Sequence, residues 1–266
     1  MQRNRWHFLW GVYSVGAIVL IVLFYGGLIA SSAIYLGWQD ASHFFLQPRI
    51  WSRLFLTLWT ACLATTISIL VALPAGYALS RLSPPRANLI NTLIDLPVMV
   101  PPAAVGVFLF GVVSKWPVNG MCSTIGLKFS HQTAGVILCQ VAVTVAFAVR
   151  LTKAAFDAVP QRYEAVARTL GSSWPYAIRK VTLPLAKRGI ISSVLVVFAR
   201  AAAEWEALML FVGATQGSTD TLPFAVYLDW NGGLMGWVTS MSLICVLMAV
   251  TVMGAVQLIG GRSYVW

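Results

Sequence analysis

Residues 160–184 read PQRYEAVARTLGSSWPYAIRKVTLP, the longest polar interruption in an otherwise apolar chain. The stretch carries Arg162, Arg168, Arg179 and Lys180, with Lys187 and Arg188 just beyond, and its only carboxylate is Glu164. Residues 162–170 contain no Gly or Pro and predict a short helix. Tyr163, Val166, Ala167 and Leu170 then share one face, and Arg162, Glu164 and Arg168 spread over the rest. Gly171-Ser172-Ser173 predicts the end of that helix, because glycine tolerates the left-handed turn past a helix terminus. Trp174-Pro175 predicts the start of a second helix. Such a segment is too polar to cross a bilayer and too patterned to be a slack linker. It reads as a docking element between two membrane helices.

The rest of the chain supports that setting. Of 266 residues, 59% are hydrophobic and only 10% are charged. With a mean hydropathy of +0.79, this is an integral membrane composition. The net charge of +10 would suggest nucleic acid in a soluble domain, but here the cations map onto loops, so no nucleic-acid partner is expected. Cys62, Cys122, Cys139 and Cys245 form no CxxC pair, and neither a metal site nor a disulfide framework is expected.

Six membrane spans follow from the apolar runs, at about residues 8–36, 53–82, 89–113, 133–151, 189–212 and 234–259. The first is read as an uncleaved helix, since a signal peptide's apolar core is only about 7–15 residues. The second is rich in Thr57, Thr60, Thr65, Thr66 and Ser68, which either pack helices or line a polar path, and Pro74 is expected to bend it. The third holds Asp95, Pro97, Pro101 and Pro102. Such a run makes either a kinked structural helix or a broken helix beside a translocation path. In the fifth, Arg200 and Glu204 are four residues apart and pair on one face, as a structural lock or a gate. The expected fold is all-α: one polytopic membrane domain, residues 1–266, with about six crossings.

Three stretches resemble a known family. The membrane subunits of ABC importers carry a loop E-A-A, three residues, Gly, nine residues, I-x-L-P. Here Gly171 is followed by nine residues and then Val181-Thr182-Leu183-Pro184. Counting back from Gly171, the two Ala places hold Val166 and Ala167, the Glu place holds Ala165, and Glu164 stands one residue early. The resemblance implies a type I importer fold whose cytoplasmic coupling helix sits in a cleft of an ATP-binding subunit, through Glu164, Ala165, Val166, Ala167, Gly171, Leu183 and Pro184. Residues 96–106 resemble the L-P-x-V-x-P-P-x-x-x-G segment of the molybdate, tungstate and sulfate permeases, with Met99 in the Val place. The A-R-x-x-G-E-[FV]-G-A run of the same permeases matches at Ala199-Arg200 and Glu204, with Ala203 in the first Gly place, Trp205 in the Phe/Val place and Glu206 in the second Gly place as departures. Their T-L-P-x-x-[IV]-Y run matches residues 221–227 of the following outer loop. The resemblance implies a pathway or gate at Pro97, Pro101, Pro102, Gly106, Arg200 and Glu204. The cargo would be an oxyanion, molybdate or tungstate first and sulfate next.

Charge counting sets an orientation without that resemblance. With six spans, Arg3, Arg5, Arg81, Arg86, Arg262 and the eight cations of residues 150–188 fall on one side, while Arg49, Arg53, Lys115 and Lys128 fall on the other. The cation-rich side is the cytoplasmic one, so both termini and residues 160–184 are expected in the cytoplasm of an inner-membrane protein. No G-x-x-x-x-G-K-[ST] run exists, so ATP hydrolysis is expected from a separate chain and no cofactor from this one. The implied partners are an ATP-binding cassette subunit, an extracytoplasmic solute-binding protein, a second copy of the chain and the lipid bilayer. The alternatives are a permease for another small solute, or a stand-alone secondary transporter using Asp95, Glu204 and Glu206.

Overall fold

The computed structural model describes residues 2–36, 45–82, 84–115, 120, 129–213, 215 and 217–260. Most of the loop expected at residues 114–131 lies outside them, as do Cys122, Lys128 and Arg262. The helices in chain order are α1 (Gln2–Leu36), α2 (Pro48–Arg81), α3 (Pro84–Met99), α4 (Pro102–Val113), α5 (Thr133–Asp157), α6 (Arg162–Thr169), α7 (Trp174–Ala177), α8 (Leu183–Ala202), α9 (Glu206–Phe211), α10 (Leu222–Asn231) and α11 (Met235–Gly260). A π-helical turn, Ile178–Thr182, joins α7 to α8. No strand occurs among the described residues. Five helices are long and apolar enough to cross a membrane, and α3 with α4 makes a sixth crossing if the bent pair is one span.

The core is built where α2, α5 and α8 pack side by side. Small residues make that approach close: Ala61, Ala64, Ala72, Ala148 and Ala201 have no exposed surface. Ser68 and Thr144 share a hydrogen bond of 2.9 Å across the α2–α5 seam, and the Thr152 hydroxyl donates to the Ala72 carbonyl at 3.0 Å. Thr57 and Thr60 bond back to their own helix, and of the five Ser/Thr residues singled out in this span only Thr66 is exposed. The four buried hydroxyls therefore lie within the helix packing, and Thr66 alone faces outward. Helix α2 runs unbroken through Pro74. By contrast α1 stands outside the bundle against α11, with none of its residues 14–32 buried.

Two expected spans are interrupted. The third breaks between α3 and α4 with a bend of 98°. Val100 and Pro101 each precede a proline, which drives both toward extended backbone, and Pro101 sits at φ −56°, ψ 136°. Pro97, by contrast, is held within α3. The fifth span, expected to be continuous over 189–212, divides into α8 and α9 around Ala203-Glu204-Trp205. The expected outer loop after it contains the ten-residue helix α10.

Candidate functional site: the coupling segment and the broken spans

The short helix α6 forms where its pattern places it, and Gly171 ends it. At φ +88°, Gly171 donates its N–H to the Arg168 carbonyl while Ser172 donates to Ala167, the paired bonds of a glycine-terminated helix. The surprise is which face is buried. Val166 is 57% exposed and Leu170 82% exposed, so most of the apolar face points away from the protein. Glu164 is the buried residue. Its Oε1 accepts from Arg81 Nη2 at 2.6 Å, from Arg81 Nε at 3.1 Å and from Thr182 Oγ1 at 2.7 Å. Its Oε2 accepts from the Tyr77 hydroxyl at 2.9 Å. Burial works to raise the pKa of Glu164, but the bonds from Arg81, Thr182 and Tyr77 and the charge of Arg81 outweigh it. The carboxyl is held below the usual range.

This geometry answers the offset in the motif. Ala165, in the expected acidic place, and Val166 are both exposed, and Ala167 is half-buried. Glu164, one residue early, ties α6 to the end of α2 and, through Thr182, to the π-helical turn. Leu183 and Pro184 form the first turn of α8, with Pro184 exposed. Tyr77, Arg81 and Thr182 were not singled out from the sequence, because nothing local marks them as partners of Glu164, which is more than eighty positions from the first two and 18 from the third.

The second site lies where the two broken spans meet. Arg200 Nη1 donates to Glu204 Oε2 at 2.8 Å, as the four-residue spacing expects. Glu204 is 1% exposed, and its Oε1 accepts the Ala207 N–H at 2.9 Å, near the start of α9. Ala207 in turn packs on Gly106 of α4: a Cβ on Gly106 would stand 2.6 Å from the Ala207 carbonyl oxygen. Gly106, Arg200 and Glu204 are thus brought together through one backbone position. Pro97 and Pro101 are exposed at the α3–α4 bend, and Pro102 is half-buried. Gln140, unmarked in the sequence, is fully buried and donates from Nε2 to the Ala201 carbonyl at 3.1 Å, where α8 ends. Glu206 is half-buried, and Asp95 pairs with Arg150 at 3.4 Å on the surface. With Asp95 and Glu204 each bound to an arginine, neither is a free carboxylate for ion coupling.

The model of the family "Binding-protein-dependent transport system inner membrane component" matches residues 64–262. The chain belongs to that family. Among its relatives, "Molybdenum transport system permease protein ModB" of Mycobacterium tuberculosis is 29% identical over 260 residues, covering 97% of this chain and 94% of the relative. "Molybdate/tungstate transport system permease protein WtpB" of Thermococcus kodakarensis is 30% identical over 62% of each chain. Among solved structures, a bacterial ABC transporter involved in the import of alginate has a TM-score of 0.72 at 18% identity, covering 92% of this chain and 93% of that one. The methionine transporter MetNI has a TM-score of 0.59 at 18% identity, covering 81% and 96%. The fold is therefore that of an ABC importer permease, and the chain is a transport subunit of the inner membrane.

This permease holds one more ionic cluster that the sequence reading missed. Arg53, counted there with the outer-side cations at the start of the second span, lies inside α2 and is 2% exposed. Its Nε donates to Asp220 at 2.9 Å and its Nη1 to Asp229 at 2.8 Å. Arg49 also reaches Asp229, at 3.1 Å, and lies over the Trp237 ring. The Thr57 hydroxyl accepts the Leu222 N–H at 2.7 Å. The cluster pins α10 to the start of α2. A signal was present: Asp220 and Asp229 bracket the T-L-P run, and Arg53 and Thr57 stand one helical turn apart.

Proposed function

We propose that the chain forms, as one transmembrane unit over residues 1–266, half of an importer pathway for a tetrahedral oxyanion, molybdate or tungstate first and sulfate next. The class of cargo is supported by the relatives named as molybdenum and molybdate/tungstate permeases. The observation that carries the mechanism is the anchored but uncovered α6: its carboxylate is locked into the fold while Val166 and Leu170 stay exposed. A separate ATP-binding subunit covers that apolar face, contacting Ala165, Val166 and Ala167. A second copy completes the pathway, and an extracytoplasmic binding protein delivers cargo. Both termini and α6 face the cytoplasm, in keeping with the arginine distribution.

Closure of the ATP-binding subunits draws the two α6 helices together. Glu164 passes that movement to α2 through Arg81 and Tyr77, and to α8 through Thr182 and the π-helical turn. Helix α8 ends at Arg200 and Glu204, where the broken spans change which side the pathway opens to. ATP energy enters as a different affinity for the two states, and this chain makes and breaks no covalent bond.

The test is reconstitution of the permease with the ATP-binding and binding-protein subunits purified beside it. ATP-dependent uptake of molybdate or tungstate is the expected result. Uptake by the chain alone in liposomes without ATP would overturn the reading.

A further inference from the structure

Between α2 and α6, beside the Glu164 anchor, lies an open cavity of about 810 Å³ to which the proposed mechanism assigns no ligand. That volume falls within the roughly 300–1,000 Å³ typical of ligand sites. Its lining is mainly apolar, with Leu73, Pro74, Ala78, Phe156, Ile178 and Leu183 among its walls. Its charged members are Arg81, Arg162, Arg168 and Glu164. Glu164 is taken up by Arg81, which leaves Arg162 and Arg168 exposed, with no carboxylate partner among the described residues. The cavity is an apolar slot bearing uncompensated positive charge.

Its opening runs along the membrane-spanning helix. Leu70, Pro74 and Ala78 recur once per turn on α2, all three exposed, with Leu70 at 66%. This stripe leads from the middle of the span into the cavity. Trp174, 52% exposed, stands in the lining, and tryptophan favours the headgroup level of a bilayer.

We propose that the cavity binds an anionic phospholipid. An acyl chain follows Leu70, Pro74 and Ala78 inward, and Arg162 and Arg168 hold the headgroup phosphate through charge-assisted hydrogen bonds. The inference rests on the proposed orientation, which sets α6 at the cytoplasmic leaflet, where anionic lipids gather. Bound there, the lipid bridges α2 and α6 and makes the coupling segment responsive to membrane composition.

The test uses the assembled transporter in nanodiscs of mixed phosphatidylglycerol and phosphatidylcholine, followed by native mass spectrometry of the lipid retained. Phosphatidylglycerol is expected to be retained in preference. Each arginine near an anionic surface contributes about a factor of five, so Arg162→Gln with Arg168→Gln should lower retention about 25-fold. Ala78→Trp, on an exposed face of α2, should block the slot and remove the lipid without altering either arginine. Equal retention of the two lipids, or retention unchanged in both variants, would overturn the proposal. So would a cavity that yields no lipid and cross-links instead to the ATP-binding subunit or to a second copy. Loss of ATP-binding-subunit association by the arginine variants with lipid retention intact would sink the lipid site and leave the coupling reading standing. Failure of the wild-type chain to bind any ATP-binding subunit would sink the coupling reading, while lipid retention could still be read.

Discussion

The two ends of α2 carry ionic clusters of opposite design. Near its start a single buried cation, Arg53, is held by two carboxylates, with all three side chains at most 5% exposed. Near its end a single carboxylate, Glu164, is held by Arg81, Tyr77 and Thr182, and the ion pair keeps 10–15% side-chain exposure. At about 1.5 Å per residue the 34-residue helix separates them by roughly 40 Å. The first cluster closes on itself, joining α2 to α10 and to Met241 of α11. The second leaves its helix, α6, with an uncovered apolar face. A charge cluster packed between helices fixes architecture, while one at the border of an open surface leaves the apolar face of its helix uncovered.

The largest expected effect comes from the closed end. Arg53→Met leaves Asp220 buried without its cation and Asp229 with only the half-exposed Arg49, a loss of about 3–5 kcal/mol. Thermal melting of the purified permease should show it as a steep fall in Tm. Arg53→Lys should recover only part, because a point charge does not present the two-sided donor fork that reaches both carboxylates.

Glu164→Ala should cost less, about 1–3 kcal/mol, and locally, since its donors regain water at the border. Folding in the membrane should persist while capture of the ATP-binding subunit and ATP-driven uptake fall. A drop in Tm as large as that of Arg53→Met would erase the contrast between the two ends.

The junction of the broken spans lies between these extremes. Glu204→Gln keeps an acceptor for the Ala207 N–H and loses only the charge facing Arg200, whereas Glu204→Ala loses both. Uptake should rank wild type, then Gln, then Ala. Equal damage from the two variants would mean that the charge alone matters.

Gly171→Ala probes the open end more gently. At φ +88° an L side chain costs about 1–2 kcal/mol, and a Cβ there meets nothing within 4 Å. Faster hydrogen exchange in residues 162–170 with unchanged global stability is the outcome to look for.

The smallest effect is with pH. Glu164 is depressed below its unfolded value of about 4.3, so its anchoring is fully present above that value. It is lost only as pH falls through the lower, folded value. Hydrogen exchange of α6, corrected for intrinsic rates, should be flat from pH 8 to pH 5, and marked loosening in that window would contradict the anchor.

Much of this architecture was legible because it is local. Hydropathy alone marks the spans, and Gly171 announces the end of α6 by its own conformational freedom. The bend after Met99 follows from Val100 and Pro101 each preceding a proline. Glu204 was legible as the partner of Arg200 but not as the acceptor for the Ala207 N–H near the start of α9. That second role depends on the chain leaving helix at Ala203, which the alanine-rich run does not signal.

By itself, then, the sequence determined an all-helical membrane protein, the place of its short polar helix α6 and its kinship with importer permeases. These rest on patterns that repeat within one or two helical turns, or on motif spacing along the chain. Only the tertiary structure decided that α6 buries Glu164 and exposes Val166 and Leu170, and that Arg53, at the edge of its span, is a core residue. In each case the deciding partner is 18 to 176 positions away. Whether a charge is buried or solvated is a property of the groups that close around it, and those are assembled only when the helices pack.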